Sequence, residues 1–484
     1  MSEQMGNAYS ERRTIAFQSL FILLLLFGSL DWIIVGLPFI GKHFAFMISE
    51  VLLVFIAASI YLTSRKKRKL NHSCLISIKG KPVELYTVFF KLSLVLGVYI
   101  SVIAAFRILS FGFNSDYFTY PRVSLVFILT FYIMNMVRFH EKAVKFSLLF
   151  FLLTLSVLQG VYFLVHGELR LSTIAININI HTCIMAISLP FLLSLLMKRD
   201  TTIVFKLITE LVFTSQLVFS VLSGSRQGFL SCIVSVVLFI LLNRKAFGLN
   251  FILRISAGII IAIAALVYTY STTLIPYTKA TIRRSTMLDV ILKIEGDDLI
   301  AASQKTALIE APQETALIEA PQKTALPTGT ADAVLILEGT EPIGADVLVR
   351  GSDQIRSTMW ETAIDNLRGS LFFGTGRLLY PVEWNNMIHM QSPHNFILEL
   401  LLSYGLFGAI IHLAILIVIF IIVWKRSGLH LRRNLLLSTG VFVAFAFLQP
   451  MLTSYLAIVF YLVVAHQETA SILPEAVFRN TQRS

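Results

Sequence analysis

The sequence predicts an all-α polytopic membrane protein, and both its composition and the lengths of its apolar runs point to that class. Of the 484 residues, 56% are hydrophobic and 14% are charged, and the mean hydropathy is +0.77. A soluble domain cannot bury that much apolar surface, so lipid must solvate most of the chain. Apolar runs of about 17–25 residues, the length that crosses a bilayer as a helix, recur from end to end. We expect about twelve transmembrane helices, at roughly 17–40, 43–62, 84–106, 122–138, 143–165, 178–197, 203–222, 229–242, 250–271, 396–424, 434–449 and 451–466.

Individual runs and the cysteines refine this prediction. The first run, from Phe17 to Ile40, is too long for the core of a signal peptide and has no small-residue cleavage site, so we expect a retained helix. The long run 396–424 could begin as an interfacial helix before it crosses. The three cysteines form no Cys-x-x-Cys pattern and are expected to be small buried core residues: Cys74, Cys183 and Cys232.

Positive charge is concentrated in the short loops on one side of the predicted bundle. These loops hold Arg65 to Lys69, Lys79, Lys81, Arg138, Lys142, Lys145, Lys198, Arg199, Arg244, Lys245, Lys425, Arg426, Arg432 and Arg433. The facing loops carry single charges such as Lys42 and Arg170. Because cytoplasmic loops are enriched in Lys and Arg, we expect this side and both termini to be cytoplasmic.

The longest polar segment, 272–395, is then expected on the outer side. Residues 272–394 contain ten Lys or Arg and fifteen Asp or Glu, a net charge of −5, against +17 for the rest of the chain. The overall charge of +12 therefore reflects the orientation of the chain in the membrane and does not favour nucleic acid as a partner. The predicted units are helices 1–9 over 1–271, an outer loop with short helices over 272–395, helices 10–12 over 396–466, and a cytoplasmic tail over 467–484.

The outer loop contains a tandem repeat of nine residues. One copy runs from Lys305 to Gln313, a second from Glu314 to Gln322, and a partial copy ends at Leu326. Two copies and a stub are too few for a solenoid. Pro and Gly around them indicate a flexible insert over 305–326, which we expect to be dispensable for chemistry.

The first of three polar clusters on the outer side is Ser223-Gly-Ser-Arg-Gln-Gly228, between the seventh and eighth helices. An arginine there is costly unless it snorkels or pairs, so Arg226 is either an interfacial anchor or an anion clamp. The clamp interpretation rests on the glycines, which let backbone approach a phosphate, and on the bidentate guanidinium. Ser225 would contact the same ligand.

The second cluster is Gln354 to Ala363, in which Arg356, Trp360 and Ala363 have the spacing of one helix face. Trp360 could dock this helix on the membrane surface or stack on a sugar. A solvated amphipathic helix has the same spacing. Phe373-Gly-Thr-Gly-Arg377 follows and is interpreted as the turn that closes the helix, with Arg377 as a further candidate for substrate binding.

The third cluster is Ser392-Pro-His-Asn395, directly before the apolar helix from Phe396. Ser392 is expected as the N-cap and Pro393 as the first helical residue, which would place a positive dipole end beside His394. His394 suits a general base near neutral pH, and Asn395 a substrate contact. A plain helix start is the alternative. No HExxH motif occurs in the segments expected on the outer side, and we expect no metal and no cofactor.

In this order and on one side of the membrane, the clusters resemble the O-antigen ligase and polymerase superfamily. The matching elements are Ser-Gly-Ser-Arg226, Arg356-x3-Trp360-x2-Ala363, Gly374-x-Gly376, and Pro393-His394-Asn395-x2-Leu398-Glu399-x5-Gly405-x2-Gly408. They cover roughly 220–410, and the rest of the chain matches only in being many-spanning. The nine-residue repeats depart from the family pattern, at a place where loops vary.

The resemblance implies a GT-C-like fold and a glycosyltransferase of the bacterial inner membrane with a periplasmic active site. Its donor would be an oligosaccharide on undecaprenyl diphosphate, and its acceptor a second glycan or lipid A–core. If the roles of the family's motif residues apply to this chain, Arg226 and Arg356 would bind the diphosphate, and His394 would activate or position the acceptor hydroxyl. Arginines that stabilise this good leaving group could replace a metal. The lipid bilayer, a chain-length regulator and a flippase are implied as partners.

Three activities fit such a chain. The Ser-Gly-Ser-Arg and Ser-Pro-His-Asn-x2-Leu-Glu patterns favour a polymerase, which joins repeat units, over a ligase, which transfers the finished glycan to lipid A–core. A transporter for the same lipid would line a central path with intramembrane charges. The charges in the predicted helices show no such paired set: Asp31, Glu50, Lys91 and Glu210.

Overall fold

The structure, a computed structural model, describes residues 2–30, 34–36, 45–64, 74–78, 81–112, 116–137, 139–166, 178–198, 202–222, 225–244, 247–271, 345–376, 380–384, 387–427, 429–447 and 456–470. These residues are mostly helical. The helices are α1 Ser2–Gly28, α2 Ile48–Ser64, α3 Leu85–Phe111, α4 Asp116–Met136, α5 Glu141–His166, α6 Ile178–Met197, α7 Ile203–Leu222, α8 Arg226–Asn243, α9 Leu249–Ser271, α10 Ala345–Arg368, α11 Phe396–Arg426, α12 Leu429–Ala446 and α13 Leu456–Ala470. The repeat insert 305–326 lies outside the described residues.

Short antiparallel hairpins connect some of these helices. Strand β1 (Ile34–Gly36) pairs with β2 (Ala45–Met47), β3 (Leu75–Ile78) with β4 (Lys81–Glu84), and β5 (Tyr380–Trp384) with β6 (Met387–Gln391). The last hairpin places Tyr380 opposite Gln391. This hairpin lies between the end of α10 and the start of α11.

The long apolar helices make the chain a multi-pass membrane protein. Within the described residues, five segments are long and apolar enough to cross a bilayer: Leu85–Phe111, Glu141–Val161, Ile180–Met197, Ile203–Ser220 and Phe396–Arg426. Shorter apolar helices run over Ser49–Ser59, Pro121–Asn135, Gln227–Asn243, Leu249–Ala264 and Leu456–His466. The predicted class is confirmed, while the count of twelve stays a prediction.

The first predicted span is wrong as a single helix. Helix α1 ends at Gly28, well before Ile40, and the chain then enters strand β1. Gly28 is a poor helix former, and the Ser29 hydroxyl donates to the Leu25 carbonyl at 2.6 Å, which satisfies one of the last helical acceptors. The β-branched residues after it favour an extended strand.

Helix α6 lies at the centre of the bundle. Of the residues in its spanning window, 89% are buried, against 11% for α3 at the periphery. It packs against α7, α8, α12 and α13. Cys183 on α6 and Cys232 on α8 are buried and free, as is Cys74, which confirms the interpretation of the cysteines.

One end of the bundle gathers basic side chains, and we call it the basic face, defined by Lys198, Lys425, Arg426, Arg432 and Arg433. Arg426 donates to the Tyr86 hydroxyl and to the Asn135 amide oxygen, both at 2.9 Å. Arg433 donates to the carbonyl of Leu242 at 2.6 Å. These contacts join the start of α3, the ends of α4, α8 and α11, and the start of α12.

Two acidic side chains in the apolar helices have cationic partners that the sequence analysis missed. Glu50 pairs with Arg122 at 3.0 Å and Glu210 with Arg254 at 2.9 Å. The partners come from α4 and α9, on other helices of the bundle. Pairing lowers the cost of placing charge among apolar helices.

Candidate functional site

Helix α11 is kinked at Gly405, whose backbone angles are φ 66° and ψ −174°. These angles are non-helical, and a positive φ is accessible to glycine at little cost. In a continuous α-helix the Leu402 carbonyl would accept from the Leu406 N–H. At this kink both groups bond elsewhere.

The segment from Leu371 to Gly376 supplies the missing partners. The Leu406 N–H donates to the Leu371 carbonyl at 2.8 Å. The Leu402 carbonyl accepts from the backbone N–H of Thr375, from that of Gly376 at 3.2 Å, and from the Thr375 hydroxyl at 3.0 Å. The buried backbone groups of the kink are thus satisfied by the Gly374-x-Gly376 segment. The predicted helix-closing turn is also a docking element for α11.

Glycine is required on both sides of this contact. A Cβ on Gly374, where φ is 68°, would lie 2.5 Å from the Gly405 nitrogen and 2.7 Å from the Leu402 oxygen. A Cβ on Gly405 would overlap the carbonyl of Phe372. The two backbones therefore approach more closely than any side chain allows.

Two side chains of helix α3 bind the contact between the Gly374 loop and the Gly405 kink, which we call the Gly374–Gly405 junction. The Arg107 guanidinium donates to the carbonyls of Gly374 and Thr375. The Tyr99 hydroxyl donates to the Tyr404 carbonyl at 2.6 Å, next to the kink. Arg107 and Tyr99 are two turns apart on α3, so one helix face holds both the loop and the kink.

The start of α11 differs from the expectation. The N-cap is Asn395, whose side-chain oxygen accepts from the N–H groups of Ile397 at 3.0 Å and Leu398 at 3.1 Å, so Ser392 as the N-cap and Pro393 as the first helical residue are wrong. The reason lies in His394, which has φ 48° and cannot be part of a right-handed helix.

His394 is the one non-glycine residue with a positive φ in the described part of the chain. A histidine tolerates this conformation better than most residues, but it is still strained. The ring follows a buried Pro393 and is itself half-buried. The strain thus falls on the residue predicted to be the base.

Helix α10 packs along the first turns of α11. Its buried Met359, Ala363 and Leu367 contact Leu402. On the same side, the Trp360 indole N–H donates to the Pro393 carbonyl at 2.8 Å. Trp360 and Ala363 of the predicted face therefore both lie against α11, while the Arg356 side chain is outside the described residues. Trp360 holds the residue before His394. Whether its ring also contacts a sugar stays a prediction.

The Ser225 cluster starts helix α8. The Ser225 hydroxyl caps this helix by accepting from the Gly228 N–H at 3.1 Å, and it lies 3.5 Å from the Thr182 hydroxyl of α6. A Cβ on Gly228 would lie 2.6 Å from the Thr182 hydroxyl oxygen. The glycine is needed because α8 crosses close to α6.

The first and third clusters meet at the C-terminal end of α12. The amide of Gln227, next to Arg226, donates to the Ala444 carbonyl at 3.2 Å. The amide of Asn395, next to His394, donates to the Phe447 carbonyl at 2.9 Å. These acceptors are about one turn apart, because Phe447 directly follows the last residue of α12. We call this end of the bundle the site face.

The site face therefore combines the N-terminal ends of two helices, α8 and α11, with a half-buried histidine. Helix N-termini carry partial positive charge and favour anions. Arg226 is the first residue of α8, and Arg356 lies in α10 one turn before Trp360. The side chains of both arginines, and all of Arg377, lie outside the described residues. The arrangement suits an anion next to a base.

The contributions of Arg107, Tyr99, Thr182 and the end of α12 were missed in the sequence. The sequence could have indicated a role for Arg107, because a cation near the end of an apolar helix is costly unless it has a specific partner. No sequence pattern indicates the roles of Tyr99, Thr182 or the α12 carbonyls, because tyrosine, threonine and backbone carbonyls are common in apolar helices.

Trp360→Phe keeps an aromatic ring but removes the indole N–H that holds the Pro393 carbonyl. One lost hydrogen bond of about 0.5–1.5 kcal/mol should reduce turnover roughly two- to tenfold, with little change in KM if Trp360 only positions His394. A raised KM with unchanged kcat would indicate instead that the indole binds substrate. Steady-state kinetics on the purified variant measure both, and Glu361→Gln on the exposed side of α10 is the control.

Comparison with known proteins agrees with the position of these clusters. A family model described as O-antigen ligase matches residues 211–413, from the middle of α7 through the kink of α11. No curated protein matches the chain. The matched region contains every predicted site residue and the Gly374–Gly405 junction. Residues 211–413, less than half of the 484-residue chain, are therefore similar to the O-antigen ligase family.

Proposed function

We propose that this protein is a glycosyltransferase that takes its donor glycan from undecaprenyl diphosphate and polymerises O-antigen or related repeat units. The observation that carries the proposal is the meeting of three clusters on the site face. Asn395 and Gln227 donate to carbonyls at the C-terminal end of α12, and Trp360 donates to the Pro393 carbonyl. These contacts support a site in which residues from distant parts of the sequence lie near the neighbours of His394.

In the proposed reaction, the acceptor hydroxyl attacks the anomeric carbon of the donor sugar. The bond between that carbon and the diphosphate oxygen breaks, and undecaprenyl diphosphate leaves with the electron pair. His394 takes the proton of the hydroxyl as the new glycosidic bond forms. Ser225 and Asn395 would orient the donor at the two helix starts.

The charge that develops on the leaving diphosphate needs a cationic partner. We propose Arg226 and Arg356, helped by Arg377, since a guanidinium binds phosphate oxygens in pairs. The N-terminal ends of α8 and α11 add partial positive charge at the same place. Transfer would then proceed without a metal, and activity in excess EDTA should equal that in its absence.

A ligase is the second candidate, and the description of the matching family model favours it. The ligase would use the same donor and the same base, with a hydroxyl of lipid A–core as acceptor. The site residues would keep their roles, and only the acceptor would differ.

The purified protein with a lipid-linked glycan donor distinguishes these activities. Longer lipid-linked glycan formed without added core supports the polymerase. Transfer that occurs only when lipid A–core is added supports the ligase. Intact donor that moves across a liposome membrane without any new bond would replace both with a transporter.

We further propose a GT-C-like bundle of twelve spans in the bacterial inner membrane, with the site face periplasmic and both termini cytoplasmic. The support is the concentration of Lys and Arg on the basic face, opposite the site face. A cysteine introduced at exposed Glu361 of α10 should react with a membrane-impermeant maleimide in intact spheroplasts. The donor pathway would also involve a flippase and a chain-length regulator.

Deletion of Lys305 to Gln322 should leave substantial transfer activity. The two copies of the repeat precede α10, and the described contacts of Trp360 and Asn395 are made with Pro393 and Phe447. The measurement is donor consumption by the purified deletion variant, with membrane expression as control. Complete loss of activity in a well-expressed variant would show that the repeats belong to the site.

A further inference from the structure

A cavity of about 950 Å³ opens at the basic face, between the end of α6 and the starts of α7 and α9. Helix α7 separates it from the site face, because this helix begins beside the cavity and ends at Leu222, just before the Ser225 cluster. Helices rise about 1.5 Å per residue, so the two places are roughly 30 Å apart. The cavity is therefore not part of the proposed transferase site.

Its walls carry three cationic side chains and one carboxylate, namely Lys198, Lys206, Arg254 and Glu210. Arg254 donates to Glu210 at 2.9 Å, and these two side chains are only 26% and 19% exposed. Lys206 lies one turn nearer the start of α7, and Lys198 directly follows α6. The lysines thus flank the mouth, while the ion pair lies deeper.

The remaining wall is largely apolar and continues into surface that faces lipid. Leu196, Phe251, Leu253 and Ala257 line the cavity. Leu253 is more than half exposed, as are Leu207 and Leu211 on the adjoining helix α7. The cavity is therefore cationic at the end of the bundle and apolar towards the bilayer interior.

We propose that this cavity binds an anionic diacyl phospholipid of the phosphatidylglycerol class, from the leaflet at the basic face. The phosphate lies between Lys198 and Lys206, and the acyl chains follow Leu253 and Ala257. Basic pockets between membrane helices suit anionic headgroups. Lys198 also pairs with Glu141 at 3.0 Å, and Glu141 pairs with Lys145 as well. Four cations against two carboxylates still leave net positive charge, which favours a lipid with net negative charge over a zwitterionic one, because the zwitterion brings its own cation.

The Glu210 carboxylate and the Asn250 amide give the cavity a second recognition element. Both line it together with the lysines. The glycerol headgroup of phosphatidylglycerol carries hydroxyl groups that can donate to a carboxylate or an amide oxygen. Hydroxyl donors next to a phosphate are thus the chemistry that this wall recognises.

Native mass spectrometry of the purified full-length chain tests the proposal, with phosphatidylglycerol and phosphatidylcholine of equal chain length supplied in equal amounts. We expect selective retention of phosphatidylglycerol. Lys206→Gln should reduce its retention roughly fivefold, since one lysine near a membrane surface contributes on that order. Lys206→Arg keeps the charge and should retain the lipid. Lys142→Gln, at a 73% exposed lysine next to Glu11, is the matched control and should behave as wild type.

Equal retention of the two lipids, or unchanged phosphatidylglycerol retention in Lys206→Gln, would overturn the proposal. Equal retention of phosphatidylethanolamine would overturn the preference for net negative charge. Displacement by glycerol 3-phosphate would show that the cavity binds a free phosphate rather than a lipid. None of these results depends on glycosyl transfer, so they test the cavity alone.

Discussion

His394→Ala should abolish glycosyl transfer while expression and thermal stability stay near wild type. In the proposed reaction the imidazole takes the proton of the acceptor hydroxyl, and alanine removes that base. General acid–base catalysis contributes about 10²–10⁴-fold, so the rate of donor consumption should fall by at least roughly 100-fold. The measurement is transfer by the purified variant at saturating donor.

A second substitution at this position separates proton transfer from backbone conformation. His394 has φ 48°, and asparagine tolerates a positive φ about as well as histidine does. His394→Asn should therefore keep the local fold and still be inactive. His140→Ala, on the ion-paired loop before α5, is the control and should remain active. Near wild-type transfer by either His394 variant would contradict the base assignment.

Gly405→Ala should destabilise the protein more than any other single methyl addition to α11. At φ 66° and ψ −174°, a backbone region that essentially only glycine populates, a non-glycine residue costs about 1–3 kcal/mol, and the new Cβ would also overlap the Phe372 carbonyl. Relief of that overlap requires the loop to separate from the kink. The Leu402 carbonyl and the Leu406 N–H would then lose their hydrogen-bond partners.

Thermal unfolding of the purified variants measures this effect. Gly440→Ala on α12 is the matched control, because a Cβ there has nothing within 4 Å. It should be neutral or slightly stabilising, since alanine is the better helix former. Gly374→Ala should reproduce the Gly405→Ala loss from the other side of the contact. An unchanged unfolding temperature for Gly405→Ala would show that the junction does not stabilise the fold.

The parts of the site that could be predicted are those whose side chains lie at helix ends or on helix faces. Apolar runs define roughly where helices begin and end, so the positions of Ser225 and Asn395 at helix starts follow from the sequence. The spacing of Trp360 and Ala363 likewise predicts one helix face, and that face packs on α11. Local periodicity was sufficient in both cases.

The parts that could not be predicted depend on backbone contacts between distant segments. The Leu402 carbonyl and the Leu406 N–H carry no sequence signal, yet their partners in the Leu371–Gly376 segment form the junction. Arg107 reaches this junction from a helix more than 260 residues earlier in the chain. Gly405 indicates conformational freedom but does not identify the backbone that lies against it.

The helix start was misplaced for a local reason. Ser392 and Asn395 are both good N-caps, and Pro393 is common at a first helical position. The choice depends on the conformation of His394, whose positive φ excludes it from the helix. The Trp360 N–H also occupies the Pro393 carbonyl. Tertiary contacts therefore decide between two equivalent local signals.

Release of undecaprenyl diphosphate tests the central claim most directly. Purified wild-type protein in liposomes should release one molecule of undecaprenyl diphosphate for each glycosidic bond that it forms, and His394→Ala should release none. Quantification of lipid product and glycan length in the same reaction gives the ratio. Movement or consumption of donor without release of the diphosphate would contradict glycosyl transfer at this site.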